Sequence, residues 1–185
     1  MAPGLHLLIS WLTTVEIIKE RRERALIALT GLAPDLDGAG IIVDFFTGTT
    51  QYYFKYHHYL GHSFLFAFLT ASIAAFLAKS QKMLVWFLSL FIIHLHLICD
   101  LIGSRSPDGY QWPIYYFYPF NSYYGFAWAG QWELNAWQNQ VIGLLLLIFC
   151  LYYLIVKKIT FLEVFSKRLD SAAVGMYDRW RGNKV

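Results

Sequence analysis

Charge is what this sequence lacks most. Only 15% of its 185 residues are Asp, Glu, Lys or Arg, against about 25% in ordinary soluble domains, while 57% are apolar. A soluble domain of this size cannot hide so much apolar surface inside itself. A bilayer takes up the remainder. Cysteine is scarce as well. Cys99 and Cys150 each sit within an apolar run, which argues against a disulfide framework and reads as small packing residues. The stretch MAPGLHLLIS has neither a basic n-region nor a small-residue cleavage site, so it is not read as a removable signal peptide. The net charge is only +3, and no basic stripe with interleaved aromatics follows the chain. Nucleic acid is therefore excluded as an expected partner. Internal repeats and low-complexity linkers are missing. So are the serine-hydrolase elbow, the Walker loop and the dinucleotide fingerprint; the GHS at 61–63 is no such elbow.

What is present is apolar and aromatic, with 13 Tyr and 7 Trp. Five apolar segments stand out: Leu5–Ile18, Ala25–Ala33, Phe64–Ala78, Met83–Ile102 and Val141–Val156. The last three are long enough, or nearly so, to cross about 30 Å of hydrocarbon at 1.5 Å per residue. The first two are short. The fold class expected is an all-α integral membrane protein, a helical bundle of about five membrane-embedded segments over residues 1–158. Residues 103–139 form an aromatic interfacial loop, since half-wet rings favour the membrane–water boundary. Residues 159–185 form a more polar tail read as an amphipathic or surface helix. Lys and Arg cluster at 19–24, 79–82 and 157–168. If the five segments alternate, these clusters fall on one side, which the positive-inside rule makes cytoplasmic.

Every histidine falls near the opposite side. His6 begins the first segment, and Asp35 and Asp37 follow the second. His57, His58 and His62 precede the third, and His94, His96 and Asp100 close the fourth. Ionisable residues at membrane depth are costly, and are paired, metal-bound or functional. His96 and Asp100 are four residues apart on a helix and share a face, so an imidazole and a carboxylate can converge on one divalent cation. His94 is turned about 200° from His96 and should point elsewhere. His58 and His62 share the same four-residue spacing, whereas His57 and His62 diverge unless the helix starts late. Asp35 and Asp37 flank Leu36 after a proline and, in an extended turn, point the same way. Mixed His/Asp ligation suits zinc, with manganese or iron as alternatives.

The strings PDLD, HHYLGHS and HLICDLIGSRSPDGYQWPIYYFYPF resemble the YdjM-like family of bacterial inner-membrane metal-dependent hydrolases. The matching positions are His6, Pro34, Asp35, Asp37, His57, His62, Ser63, His96, Asp100, Gly109, Pro119 and Phe120, within about residues 1–125. Two positions depart from the family pattern: His58 stands where Arg is usual, and Gly61 where Thr is usual. A more distant similarity is to the ligand order of the zinc-dependent phospholipase C and nuclease group. The later His-x-x-x-Glu of that group is missing here, because no histidine follows His96.

The family resemblance implies a multi-pass protein of the bacterial inner (plasma) membrane, and the Lys/Arg bias puts its site on the extracytoplasmic side. It also implies a metal-dependent hydrolase of a phosphoester, with a lipid as one substrate class. The implied ligands of one or two metal ions are His6, Asp35, Asp37, His57, His62, His96 and Asp100. Whichever of Asp35 and Asp37 is not a ligand would be the catalytic base. His58, Ser63 and Arg105 would meet the substrate, His58 as a pH-dependent replacement for an arginine. The alternative is a non-enzymatic membrane component that binds or transports metal or serves as a partner-binding scaffold. Oligomeric state is not legible.

Overall fold

The computed structural model describes residues 1–182. The final three residues of the expected tail helix lie outside the described residues. Eight α-helices run in order: α1 Pro3–Thr14, α2 Arg21–Thr30, α3 Gly40–Thr47, α4 Tyr52–Tyr56, α5 Phe64–Leu77, α6 Lys82–Gly103, α7 Trp137–Tyr152 and α8 Lys167–Trp180. Short 3-10 segments cover Ala33–Ala39 and Phe161–Val164, and a π-turn covers Tyr153–Lys157. The described residues contain no strand, only two isolated bridges, Arg105 with Glu133 and Ile114 with Phe126.

The expectation of five membrane-embedded segments is corrected by helix length. Among the described residues, two helices are long and apolar enough to cross a membrane, Lys82–Gly103 and Trp137–Lys157. A third span results only if Arg21–Thr30 and Ala33–Thr47, which meet at a 47° bend, count as one broken element. α1 and α5 have 12 and 14 residues, or about 18 and 21 Å of rise. α1 buries or half-buries its large apolar residues within the bundle, whereas α5 buries only a stripe of alanines and leaves Phe68, Leu69, Ile73 and Phe76 exposed on its other face. Ala67, Ala71, Ala74 and Ala78 are buried along one face of α5. Such small residues let helix backbones approach closely, and α5 lies against α6 along this face, with Val85 and Ile92 among the residues it buries. Residue spacing reports an apolar stripe but does not say whether lipid or a neighbouring helix covers it.

Two polar clamps hold the bundle together at the end away from the histidines. Arg24 donates to both carboxylate oxygens of buried Glu163, at 2.6 and 2.7 Å, and Trp11 Nε1 donates to Oε1 at 2.8 Å. Glu23 accepts from the backbone N–H groups of Lys79 and Ser80, both at 3.0 Å, just past the end of α5. Lys157 lies 3.7 Å from Glu16. The three basic clusters are thus gathered at one end of the molecule.

At the other end, the long segment between α6 and α7 is stitched down by two amides. Gln131 donates to the Asp100 carbonyl at 2.8 Å and to Ser104 Oγ at 3.1 Å. Asn139 donates to the carbonyls of Gly103, Leu134 and Glu133, and accepts from Trp132 Nε1. These bonds fix the loop over the last turn of α6, where Asp100 lies.

Candidate metal centre

Asp35, His62, His96 and Asp100 each direct one ligand atom into a common space, all four within 4.8 Å of one another, and could hold a metal ion. Four separate stretches of chain supply the quartet's surroundings. α6 brings His96 and Asp100 on one face, with His96 Nε2 3.0 Å from Asp100 Oδ2. The Ala33–Ala39 turn brings Asp35, whose Oδ1 is 3.8 Å from the same nitrogen. The turn before α5 brings His62, its Nε2 3.3 Å from Asp100 Oδ2. α1 packs His6 flat against His96, ring centroids 3.6 Å apart.

The hydrogen bonds decide which nitrogens are free. His96 Nδ1 lies 2.7 Å from the Gly31 carbonyl, which can only accept, so Nδ1 carries the proton. The neutral ring then offers the Nε2 lone pair. That buried atom has no hydrogen-bond partner, and neither has Asp35 Oδ2. Unpaired buried polar atoms are costly, and a cation between them removes the cost. His62 Nδ1 donates to Asp37 Oδ2 at 3.0 Å, the carboxylate–histidine arrangement that orients metal-binding imidazoles. Burial alone would lower the His62 pKa, but hydrogen bonds to Asp100 and Asp37 outweigh it and raise the value to about 9. The Nε2 proton thus stands where a cation would bind, and binding must release it. The donor set, two imidazoles and two carboxylates, fits a divalent ion.

The other expected residues fall around this quartet. Asp37 bridges His57 Nδ1 at 2.9 Å and His62 Nδ1, and also accepts from Gly61 N at 3.1 Å. It therefore positions His62, and His57 lies beyond it. His6 Nε2 approaches Asp100 Oδ1 at 3.1 Å, an oxygen that also takes the Met1 amino group. His58 is buried behind the cluster, its Nε2 3.8 Å from Asp100 Oδ2 and its Nδ1 donating to the Trp112 carbonyl at 3.2 Å. Burial, reinforced by His62, pushes its imidazole well below the ordinary value, so it is a neutral group rather than a replacement cation. Ser63 caps α5, accepting from Phe66 N at 3.2 Å and donating to the Leu60 carbonyl. Arg105 is 3.6 Å from Glu133, away from the quartet. His94 turns aside to Leu90 and Tyr116, as its 200° offset requires.

A cavity of about 550 Å³ opens beside the quartet, with Asp35, Asp100, His57 and His58 in its wall. Gly31 and Gln131 were not distinguished in the sequence. Gly31 acts through its carbonyl, which no residue pattern reveals, and Gln131 reaches across from the long loop without a motif.

Gly61 is closely confined by its neighbours. A Cβ there would lie 2.2 Å from the Pro34 carbonyl oxygen and 3.1 Å from Asp37 Oδ2. The turns carrying Asp35 and His62 therefore touch backbone to backbone. Gly61→Ala is expected to lower stability by about 1–3 kcal/mol, the usual cost of overpacking, and to weaken metal binding by separating those turns. Thermal unfolding with and without metal checks this; an unchanged melting temperature and unchanged metal affinity would contradict it.

The family model for YdjM inner membrane protein matches residues 1–164, beyond the stretch on which the motifs lie. No curated protein and no solved structure matches the chain, and the more distant similarity to the zinc-dependent phospholipase C and nuclease group finds no support.

Proposed function

The chain belongs to the YdjM inner membrane protein family, and from that footing we propose that it is a membrane-bound, metal-dependent hydrolase of a phosphoester. The observation that supports this most is the buried His96 Nε2, left without a partner and facing two carboxylates and a second histidine. His62, His96 and Asp100 hold the ion, and Asp37 and the Gly31 carbonyl orient the two imidazoles. Two nitrogens with carboxylate oxygens favour zinc, with manganese or iron as alternatives. A metal so held supplies Lewis-acid activation of water and neutralises charge building on phosphorus.

Asp35 borders the cavity and retains an unpaired oxygen. It is placed to take the proton from the attacking water, whose oxygen bonds to phosphorus as the ester P–O bond breaks; the proton held by Asp35 then passes to the leaving oxygen. His58 lines the same cavity as a neutral hydrogen-bonding wall. The basic clusters at the far end of the bundle favour an extracytoplasmic site.

One feature supports a second reading. If Asp35 ligates, four protein donors complete a tetrahedron, the closed form characteristic of structural sites. The protein would then bind metal without turnover.

Asp35→Asn separates the two. As base, its loss should reduce metal-dependent turnover by about 10²–10⁴-fold while metal content stays stoichiometric. The measurement is a screen of phosphomonoesters, phosphodiesters and phospholipids against purified, zinc-loaded protein. Full metal occupancy with no turnover of any ester would replace the hydrolase by the binding protein.

A further inference from the structure

α3 is out of place for a helix in water. Its sequence is GIIVDFFT, and none of its eight residues is buried. Phe45 and Phe46 are 81% and 80% exposed, and Ile41, Ile42 and Val43 are exposed beside them. Its one charged residue, Asp44, is turned inward, accepting from Thr50 Oγ1 and from the backbone N–H groups of Tyr52 and Tyr53 at 2.7–2.8 Å. The outer face therefore carries no charge. α3 also ends the broken element that begins at Arg21, whose combined composition is apolar enough for a span. Asp35 lies just beyond the break, in the 3-10 turn that opens the second half.

The cavity beside the quartet shares this character. One end is Asp35, Asp100 and His58; the other wall includes Leu36, Ala39 and Ile41. Leu36 and Ile41 are both more than half exposed, so the apolar wall of the cavity runs out onto the bare face of α3. Polar donors at the inner end and an apolar track leading from them match an amphiphile, head inward and chain along α3. A free, fully hydrated phosphoester would gain nothing from that track.

We propose that α3 lies in the bilayer and that the cavity opens to lipid, so that the substrate is a lipid-anchored phosphoester whose chain rests on Leu36, Ala39 and Ile41. The substrate class rests on the hydrolase reading above; the lipid-facing mouth does not.

The test uses the full chain in vesicles of phosphatidylcholine and phosphatidylglycerol. In a Cys99→Ser, Cys150→Ala background, Phe45→Cys and Asp108→Cys are each spin-labelled, after circular dichroism confirms that each variant is folded. The label at 45 is expected to be reached by oxygen and shielded from a water-soluble nickel chelate, and the label at 108 the reverse. In a second arm, Ile41 and, in a separate variant, Asp108 are replaced by the photo-crosslinker benzoylphenylalanine in vesicles containing radiolabelled phosphatidic acid. Lipid capture at 41 is expected to exceed capture at 108 by about tenfold or more, a difference of about 1.4 kcal/mol in occupancy. Equal nickel access at 45 and 108, or equal lipid capture at the two positions, would overturn the proposal even if soluble glycerol phosphate is hydrolysed. Lipid capture without turnover of any ester would uphold the lipid-facing mouth and remove the hydrolase reading alone.

Discussion

His96→Ala is expected to bind zinc about two to three orders of magnitude more weakly than the unaltered protein. Four-ligand zinc sites hold their ion with about 10–16 kcal/mol, or about 2.5–4 kcal/mol for each ligand, and each 1.4 kcal/mol is about a factor of ten. The loss should be large because nothing nearby substitutes. His94, two residues away, is committed to Leu90 and Tyr116 on another face of α6. His6 stacks on His96, and removing that ring leaves His6 on the α1 side of a hole. Asp37→Asn should fall between the extremes, at about 10–100-fold, because Asp37 acts by orienting His62. His94→Phe should leave affinity unchanged. Competition with a chromogenic chelator measures all three. Equal zinc affinity in His96→Ala and the unaltered protein would sink the ligand assignment.

Glu163→Ala is expected to destabilise the fold by about 3–5 kcal/mol, the cost of breaking a buried ion pair from one side. The substitution strands the guanidinium of Arg24, which is buried and otherwise bonded only to the carbonyls of Ile18 and Lys19. It also removes the acceptor of Trp11 Nε1, at the centre of the cluster that joins α1, α2 and the Phe161–Val164 turn. The matched double replacement, Arg24→Met with Glu163→Leu, should recover most of the loss, since well-packed apolar groups often equal or better a buried pair. Unfolding in detergent monitored by circular dichroism separates these cases. A double variant as unstable as Glu163→Ala would show that the clamp does more than compensate its own desolvation. Metal affinity measured in the folded fraction should be unaffected, because this clamp lies at the far end of the bundle.

The parts of the fold legible in the sequence were those with one-dimensional signatures. The long apolar runs at Met83–Ile102 and Val141–Val156 correspond to α6 and α7, and the four-residue spacing of His96 and Asp100 places them on one face. Length arguments failed where a short apolar helix packs into the bundle, as α1 does, or along a single alanine face, as α5 does, because covering by a neighbouring helix and covering by lipid look alike in composition. The site shows the same division. His62, His96, Asp35 and Asp100 meet, but the sequence could not rank Asp35 against Asp37 or His57 against His58. Those choices depend on the 3-10 turn at Ala33–Ala39 and on the closeness of Gly61 to Pro34, both set by tertiary contact. The exposed face of α3 is readable as IIV and FF in the string GIIVDFFT, yet only the inward bonds of Asp44 show that the charge between them does not interrupt it.

X-ray absorption at the zinc edge on the purified, zinc-loaded protein is the most direct measurement of the central claim. The expected spectrum has two imidazole nitrogens at about 2.0–2.1 Å with carboxylate or water oxygens at about 2.0–2.2 Å and no sulfur, one ion per chain, and loses one imidazole in His62→Ala. A spectrum with no imidazole scattering, or one that persists unchanged in His62→Ala and His96→Ala, would contradict the metal centre.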